Sequence, residues 1–199
     1  MNDAHEIHNI GSLEGRMGPS VQKYGDAALV DGMARFDVRA DDENVYVAID
    51  VIDDDVIAGM GMDFVQFDTV GLALIPSPAE SSAYNPGTIT SFLKAECFAF
   101  ITSPIDNPQI LFQKEFPDVI SPLIKVAGQR TATGYVRVFK IPFEWLNEKY
   151  GGEWESFRLN VVVNDKDTGK DPVLYSWQPS WTQNIVGTGI FFRRKEESF

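Results

Sequence analysis

The segment Asn44–Val51, "NVYVAIDV", alternates strictly: Val45, Val47, Ile49 and Val51 fall on one side, Tyr46, Ala48 and Asp50 on the other. A period of two marks a strand that buries one face and leaves the other accessible. Ahead of it, "ARFDVRA" puts Ala34, Phe36 and Val38 on one face. The intervening "ADDEN" is rich in Asp and Asn, which tolerate turn geometry and hydrogen-bond their own backbone. The two runs predict an antiparallel hairpin, and its apolar face must be covered by a second layer.

Further strands are predicted at "FDTVGLALI" (Val70, Leu72, Leu74), "ECFAFIT", "SPLIKVA", "GYVRVFKIP", "FRLNVVVND" and "TGIFFRR", separated by turn-rich stretches such as "PSPAESSAYNPGT" and "NDKDTGKDP". One short helix is expected at "PFEWLNEKYGG", where Pro142 suits a first turn and the two glycines end it. Many short strands without an alternating β-α pattern predict an all-β, two-sheet antiparallel sandwich with jelly-roll or immunoglobulin-like layers. Residues 31–199 form this domain in the reading, and residues 1–30 form a partly irregular N-terminal segment.

At 199 residues the chain can bury a sizeable core without disulfides or metals. Its net charge of −12 argues against nucleic acid, whose phosphates it would repel. The single cysteine, Cys97, lies in the apolar run "AECFAFI" and reads as a small buried hydrophobe. No apolar run approaches the ~20 residues of a membrane helix. The N-terminus lacks the basic stretch and apolar core of a signal peptide. The chain therefore either stays inside the cell or is a domain of a longer exported protein.

Catalytic signatures are missing: there is no GxSxG, HExxH, CxxC or GxGxxG. His5 and His8 are expected in an exposed tail. The reading is of a protein that is not an enzyme.

Five segments in order, "DDENVYVAIDVIDDD", "FDTVGLALI", "GYVRVFKIPFEWL", "FRLNVVVNDKDTGKDPVLYSW" and "GTGIFF", together resemble the family 9 carbohydrate-binding modules over about residues 34–193. The resemblance implies a β-sandwich that binds a glycan and is covalently linked to a catalytic domain. It also implies an extracellular or periplasmic location.

Binding a sugar takes a flat aromatic face for the ring's C–H groups and planar polar groups for its hydroxyls. "YSWQPSWTQN" supplies both, with Trp181 as the expected platform and Gln178 and Asn184 as polar partners. Its other tryptophan, Trp177, is a second ligand-binding candidate that also reads as a packing residue. The resemblance implies a second tryptophan three positions before Asp68 and a glutamate three after it, but Val65 and Gly71 stand there. Phe64 or Phe67 is the candidate replacement for the stacking surface.

The acidic runs Asp41–Glu43, Asp53–Asp55 and Asp165–Asp171 raise structural calcium, which takes six to eight oxygen ligands. Asp53, Asp54 and Asp55 are the favoured metal candidates, because three consecutive acids at a strand end repel one another unless neutralised. Sandwiches related to this family also include haem b carriers. In that alternative Met60 or Met62 and Lys94 or Lys114 would supply the axial ligands. A structural or interaction domain without a small ligand is the third reading.

Overall fold

The computed structural model describes residues 33–61, 63–76, 98–110, 112–114, 123–177 and 189–193, together with four short strands between residues 5 and 19. These residues form two antiparallel sheets facing each other across one apolar core. The sandwich anticipated from the alternating segments is therefore present.

The short strands are β1 (His5–Glu6), β2 (His8–Asn9), β3 (Gly15–Arg16) and β4 (Gly18–Pro19). The first sheet is built on β5 (Ala34–Ala40), β6 (Asn44–Ile52), β10 (Lys125–Thr131) and β11 (Gly134–Pro142). It runs in the order β1-β5-β6-β11-β10, with β3 also pairing β5. The second sheet contains β7 (Thr69–Ile75), β8 (Phe98–Thr102), β9 (Phe112–Lys114), β12 (Ser156–Asp165), β13 (Val173–Ser176) and β14 (Gly189–Phe192). Its main order is β2-β14-β12-β7-β8-β9, and β13 joins β12 to β4. His5 and His8, expected in a tail, thus fall on strands that pair with β5 and β14.

Alternation decides which side chains enter the core. Ala34, Phe36 and Val38 of β5 and Val45, Val47, Ile49 and Val51 of β6 are all buried, as their period predicts. In β7 the pattern breaks, because Gly71, Ala73 and Ile75 are buried along with Val70, Leu72 and Leu74. A strand enclosed on both faces does not alternate. β10 lies further along the chain than "SPLIKVA" predicts, because its residues 125–131 form a hairpin with β11 through the turn ending at Gly134. Gly134 has φ +140°, and a Cβ there would meet the Val51 carbonyl.

The helix, α1 (Phe143–Tyr150), starts after Pro142 in extended conformation and ends at Gly151 with φ 79°. It buries Trp145 and Leu146, and Trp145 meets Phe98 and Phe100 edge-on at 5.0 and 5.7 Å. Among the described residues no helix is long and apolar enough to cross a membrane.

Candidate functional site

At one end of the sandwich β6, β8 and β12 finish while β7 and β11 begin. Antiparallel order brings these distant chain positions together, and each contributes a polar residue. Asp53 follows β6, Asp68 precedes β7, Ser103 follows β8, Tyr135 opens β11, and Asp165 and Asp167 close β12 and its loop. Asp53, Asp68, Asp165 and Asp167 are 4, 1, 7 and 9% exposed. Oxygens of Asp53, Asp68 and Asp165 lie within 4.8 Å of one another, and so do those of Asp53, Asp54 and Asp167.

Backbone donors hold this cluster in place. Asp68 accepts from the Lys166 N–H at 2.6 Å and from the Ile57 N–H, while its own N–H donates to Ile57 O at 2.8 Å. Asn164 Nδ2 donates to Phe67 O at 3.0 Å, and the Gly59 N–H donates to Ser103 Oγ at 3.1 Å. Burial pushes the Asp68 carboxyl up to about 7, against the Lys166 N–H that favours its charge, and the neighbouring Asp53 and Asp165 charges push it the same way as burial. Tyr135 is fully buried, and its phenol is raised by burial first and then by the charges of Asp68 and Asp53. Among the described residues its hydroxyl has no hydrogen-bond partner, nor does Asp167 Oδ1. Such orphaned groups cost ~1–3 kcal/mol each when nothing binds them.

The donor set is all oxygen, mostly carboxylate, with no histidine or thiolate in either triad. That suits calcium, which accepts several carboxylates in flexible geometry, better than zinc or magnesium. The residues present therefore fit the ion that the acidic runs raised. Of the three favoured candidates, Asp53 and Asp54 fall within the cluster. Asp55 lies outside both triads and accepts the Thr168 N–H at 2.8 Å, clasping the two loops. Asp68 was missed because it stands alone in the sequence. Its position one residue before a strand, like that of Asp53 one residue after one, was the available signal.

Arg137 completes this end. It is fully buried beside Tyr135, with its guanidinium 5.8 Å from the tyrosine ring. It donates to Ser103 O from two nitrogens at 3.2 Å and to Ile105 O at 2.8 Å.

Trp177 lies elsewhere. Its N–H donates to Val161 O, and its ring sits edge-on to Phe36 at 4.9 Å and tilted to Phe191 at 6.1 Å. It packs between the layers. Trp181, Gln178 and Asn184 lie outside the described residues, as do Met62 and Lys94. Phe64 opens a 3-10 turn, Phe64–Gln66, and its side chain is outside the description. Met60 is 65% exposed.

No protein-family model matches the chain, and no curated protein matches it. Solved structures do. A family 9 carbohydrate-binding module from Caldicellulosiruptor kristjanssonii, in complex with glucose, superposes with a TM-score of 0.56 at 16% identity, covering 98% of this chain and 87% of that one. The fold is CBM9-like. A structure from Bacteroides uniformis is also similar, with a TM-score of 0.53 at 11% identity, covering 94% of this chain and 85% of that one.

At the two positions where the resemblance implies tryptophan and glutamate, neither Val65 nor Gly71 can fill those roles. Val65 is 43% exposed but aliphatic. Gly71 is buried in β7, and a Cβ there would come within 3.0 Å of the Phe100 carbonyl oxygen. Strand β8 approaches too closely for a longer side chain without local displacement.

Proposed function

We propose that this chain is a non-catalytic carbohydrate-binding module, joined in its parent protein to a glycan-active catalytic domain and working in the periplasm or outside the cell. The observation that carries this reading is the likeness of nearly the whole chain to a module solved with glucose bound. Trp181 is the stacking platform, with Gln178 and Asn184 serving the sugar hydroxyls. The engagement of Trp177 between the layers supports that division of labour. With Val65 and Gly71 in place of a second wall, the ligand lies on one aromatic face. A single stacked ring with a few exposed hydrogen bonds corresponds to dissociation constants of roughly micromolar to millimolar.

Titration calorimetry with glucose and a panel of neutral oligosaccharides tests this reading. Saturable heat is expected for the wild type, and Trp181→Ala is expected to weaken it by about 10-fold, the factor to which ~1.4 kcal/mol for a lost aromatic contact corresponds. Equal heats for both proteins, or none for either, would remove the reading.

Calcium is the second part of the proposal, supported by the buried carboxylates around the orphaned Tyr135 hydroxyl. Asp53, Asp68 and Asp165 would hold the ion, and Asp54 and Asp167 form a second set with Asp53, in which Asp167 is also paired with Lys170. Its work is structural: it neutralises the cluster and ties together the loops that follow β6 and β12.

A further inference from the structure

The two sheets differ in how much of them faces solvent. β7, central in the second sheet, is buried on both faces, whereas β5, β6 and β11 bury one face and leave every second residue partly or fully exposed. On this open face the strand register aligns residues in rows across the sheet. Arg39 pairs with Tyr46, Tyr46 with Lys140, and Lys140 with Lys125. At ~4.8 Å between strands, this row of three cations and one aromatic spans ~14 Å. The next row is Asp37, Ala48, Val138 and Ala127, and the one beyond it is Arg35, Asp50, Val136 and Gln129. Ala48, Val138 and Ala127 form a low apolar floor between two raised rows, a shallow trough running across the strands.

The charges on this face are unevenly matched. Arg35 is bonded to Asp50 at 2.7 Å and Arg39 to Asp37 at 2.7 Å. Lys125 and Lys140 stand directly opposite each other, and among the described residues neither meets a carboxylate. Like charges directly opposite on a sheet destabilise it. On these four strands the face carries Arg35, Arg39, Lys125 and Lys140 against Asp37 and Asp50, in a chain whose net charge is −12. The Tyr46 hydroxyl donates to Asp41 Oδ2 at 2.7 Å, which fixes the ring beside Lys140 and leaves the Asp41 carboxylate at the far end of the row from Lys125.

We propose that this face is a second binding surface, for an acidic polysaccharide whose sugar rings carry carboxylates. Lys125 and Lys140 pair with the carboxylates, Tyr46 offers its ring to sugar C–H groups, and the apolar floor takes the chain. The ligand class rests on the glycan reading above, while the location does not. Charge density favours a uronate chain over nucleic acid. A duplex carries a charge about every 1.7 Å and would be repelled by the rest of this acidic molecule. A uronate chain carries one charge per sugar ring and needs only a local cationic patch.

The experiment is a calorimetric titration of the whole chain with an oligogalacturonate at low salt and fixed calcium, beside a neutral cello-oligosaccharide. The wild type is expected to bind the acidic chain and to lose affinity as salt rises. The variant K125Q/K140Q is expected to weaken binding by about 10-fold, and K125E/K140E to weaken it further. Both variants should keep the wild-type response to the neutral sugar, and Trp181→Ala should keep the response to the acidic chain. The inference is overturned if the acidic chain does not bind at low salt, if neither lysine variant changes its affinity, or if duplex DNA or anionic vesicles bind more tightly than the uronate. Failure of the glycan-module reading looks different: the neutral sugar then gives no heat, whatever the lysine variants do.

Discussion

Stripping divalent cations with EDTA is expected to lower the melting temperature of this domain by about 10 °C at pH 8, and calcium is expected to restore it. A ligand at 1,000 times its dissociation constant stabilises the state that binds it by about 4.1 kcal/mol. In a domain of this size each kcal/mol is worth about 2–4 °C. The sign of the pH dependence separates this from a non-specific salt effect. Without calcium, Asp68 holds a proton up to about 7 in the folded state, against an ordinary value of 3.8. Between these values the folded chain binds the extra proton, so the stability that this one group contributes is fully present below the lower value and is lost as pH rises through the upper, by ~2–4 kcal/mol. With calcium the carboxylates are ionised, so the gain on adding the ion grows with pH across the same window. Melting curves in EDTA and in calcium from pH 5 to pH 8 give the answer. Curves that coincide throughout would leave the buried cluster without its ion.

Arg137→Ala is expected to cost about 3–5 kcal/mol, a loss near 10 °C, without direct contact with either proposed glycan surface. The guanidinium serves the carbonyls of Ser103 and Ile105, and each buried carbonyl left unserved costs ~1–3 kcal/mol. A cavity beside Tyr135 adds to that. Arg137→Lys should not rescue it, because one ammonium on a flexible stem cannot reproduce the planar fork that reaches both carbonyls. Chemical denaturation of the three proteins measures it. A lysine variant as stable as the wild type would mean that the charge matters here and the geometry does not.

The same residue shows where sequence patterns mislead. In "GYVRVFKIP" both registers carry apolar side chains, with Val136 and Val138 on one face and Phe139 and Ile141 on the other. The structure puts Arg137 inside with Tyr135 and Phe139, and leaves the two valines facing out. Hydrophobicity alone would not choose that register; the carbonyls of the loop after β8 do, and they lie more than thirty residues away in the chain. Where one face was clearly polar, as in β5 and β6, the period was enough. β9 and β13 passed unseen for a related reason. Both are short, and Val173 and Leu174 of β13 are exposed although apolar.

The acidic end was half legible. Three consecutive acids after β6 stand out in the sequence, but the triads that join Asp53 to Asp68 and Asp165, and to Asp167, exist only once the strands are antiparallel and in register. Local charge density named Asp55, which the fold spends on the Thr168 N–H, and passed over the isolated Asp68. The "YSWQPSWTQN" motif offers two tryptophans, and packing against Phe36 and Phe191 gives Trp177 its role.

The chain has four tryptophans, and three of them, Trp145, Trp154 and Trp177, pack against the core. A nitrogen-15 correlation spectrum recorded through a titration with glucose therefore tests the central claim directly. The account predicts that one indole N–H resonance, the one absent from the Trp181→Ala spectrum, moves progressively and saturates while the other three hold still. A spectrum in which no indole moves, or in which only the packed ones do, would contradict it.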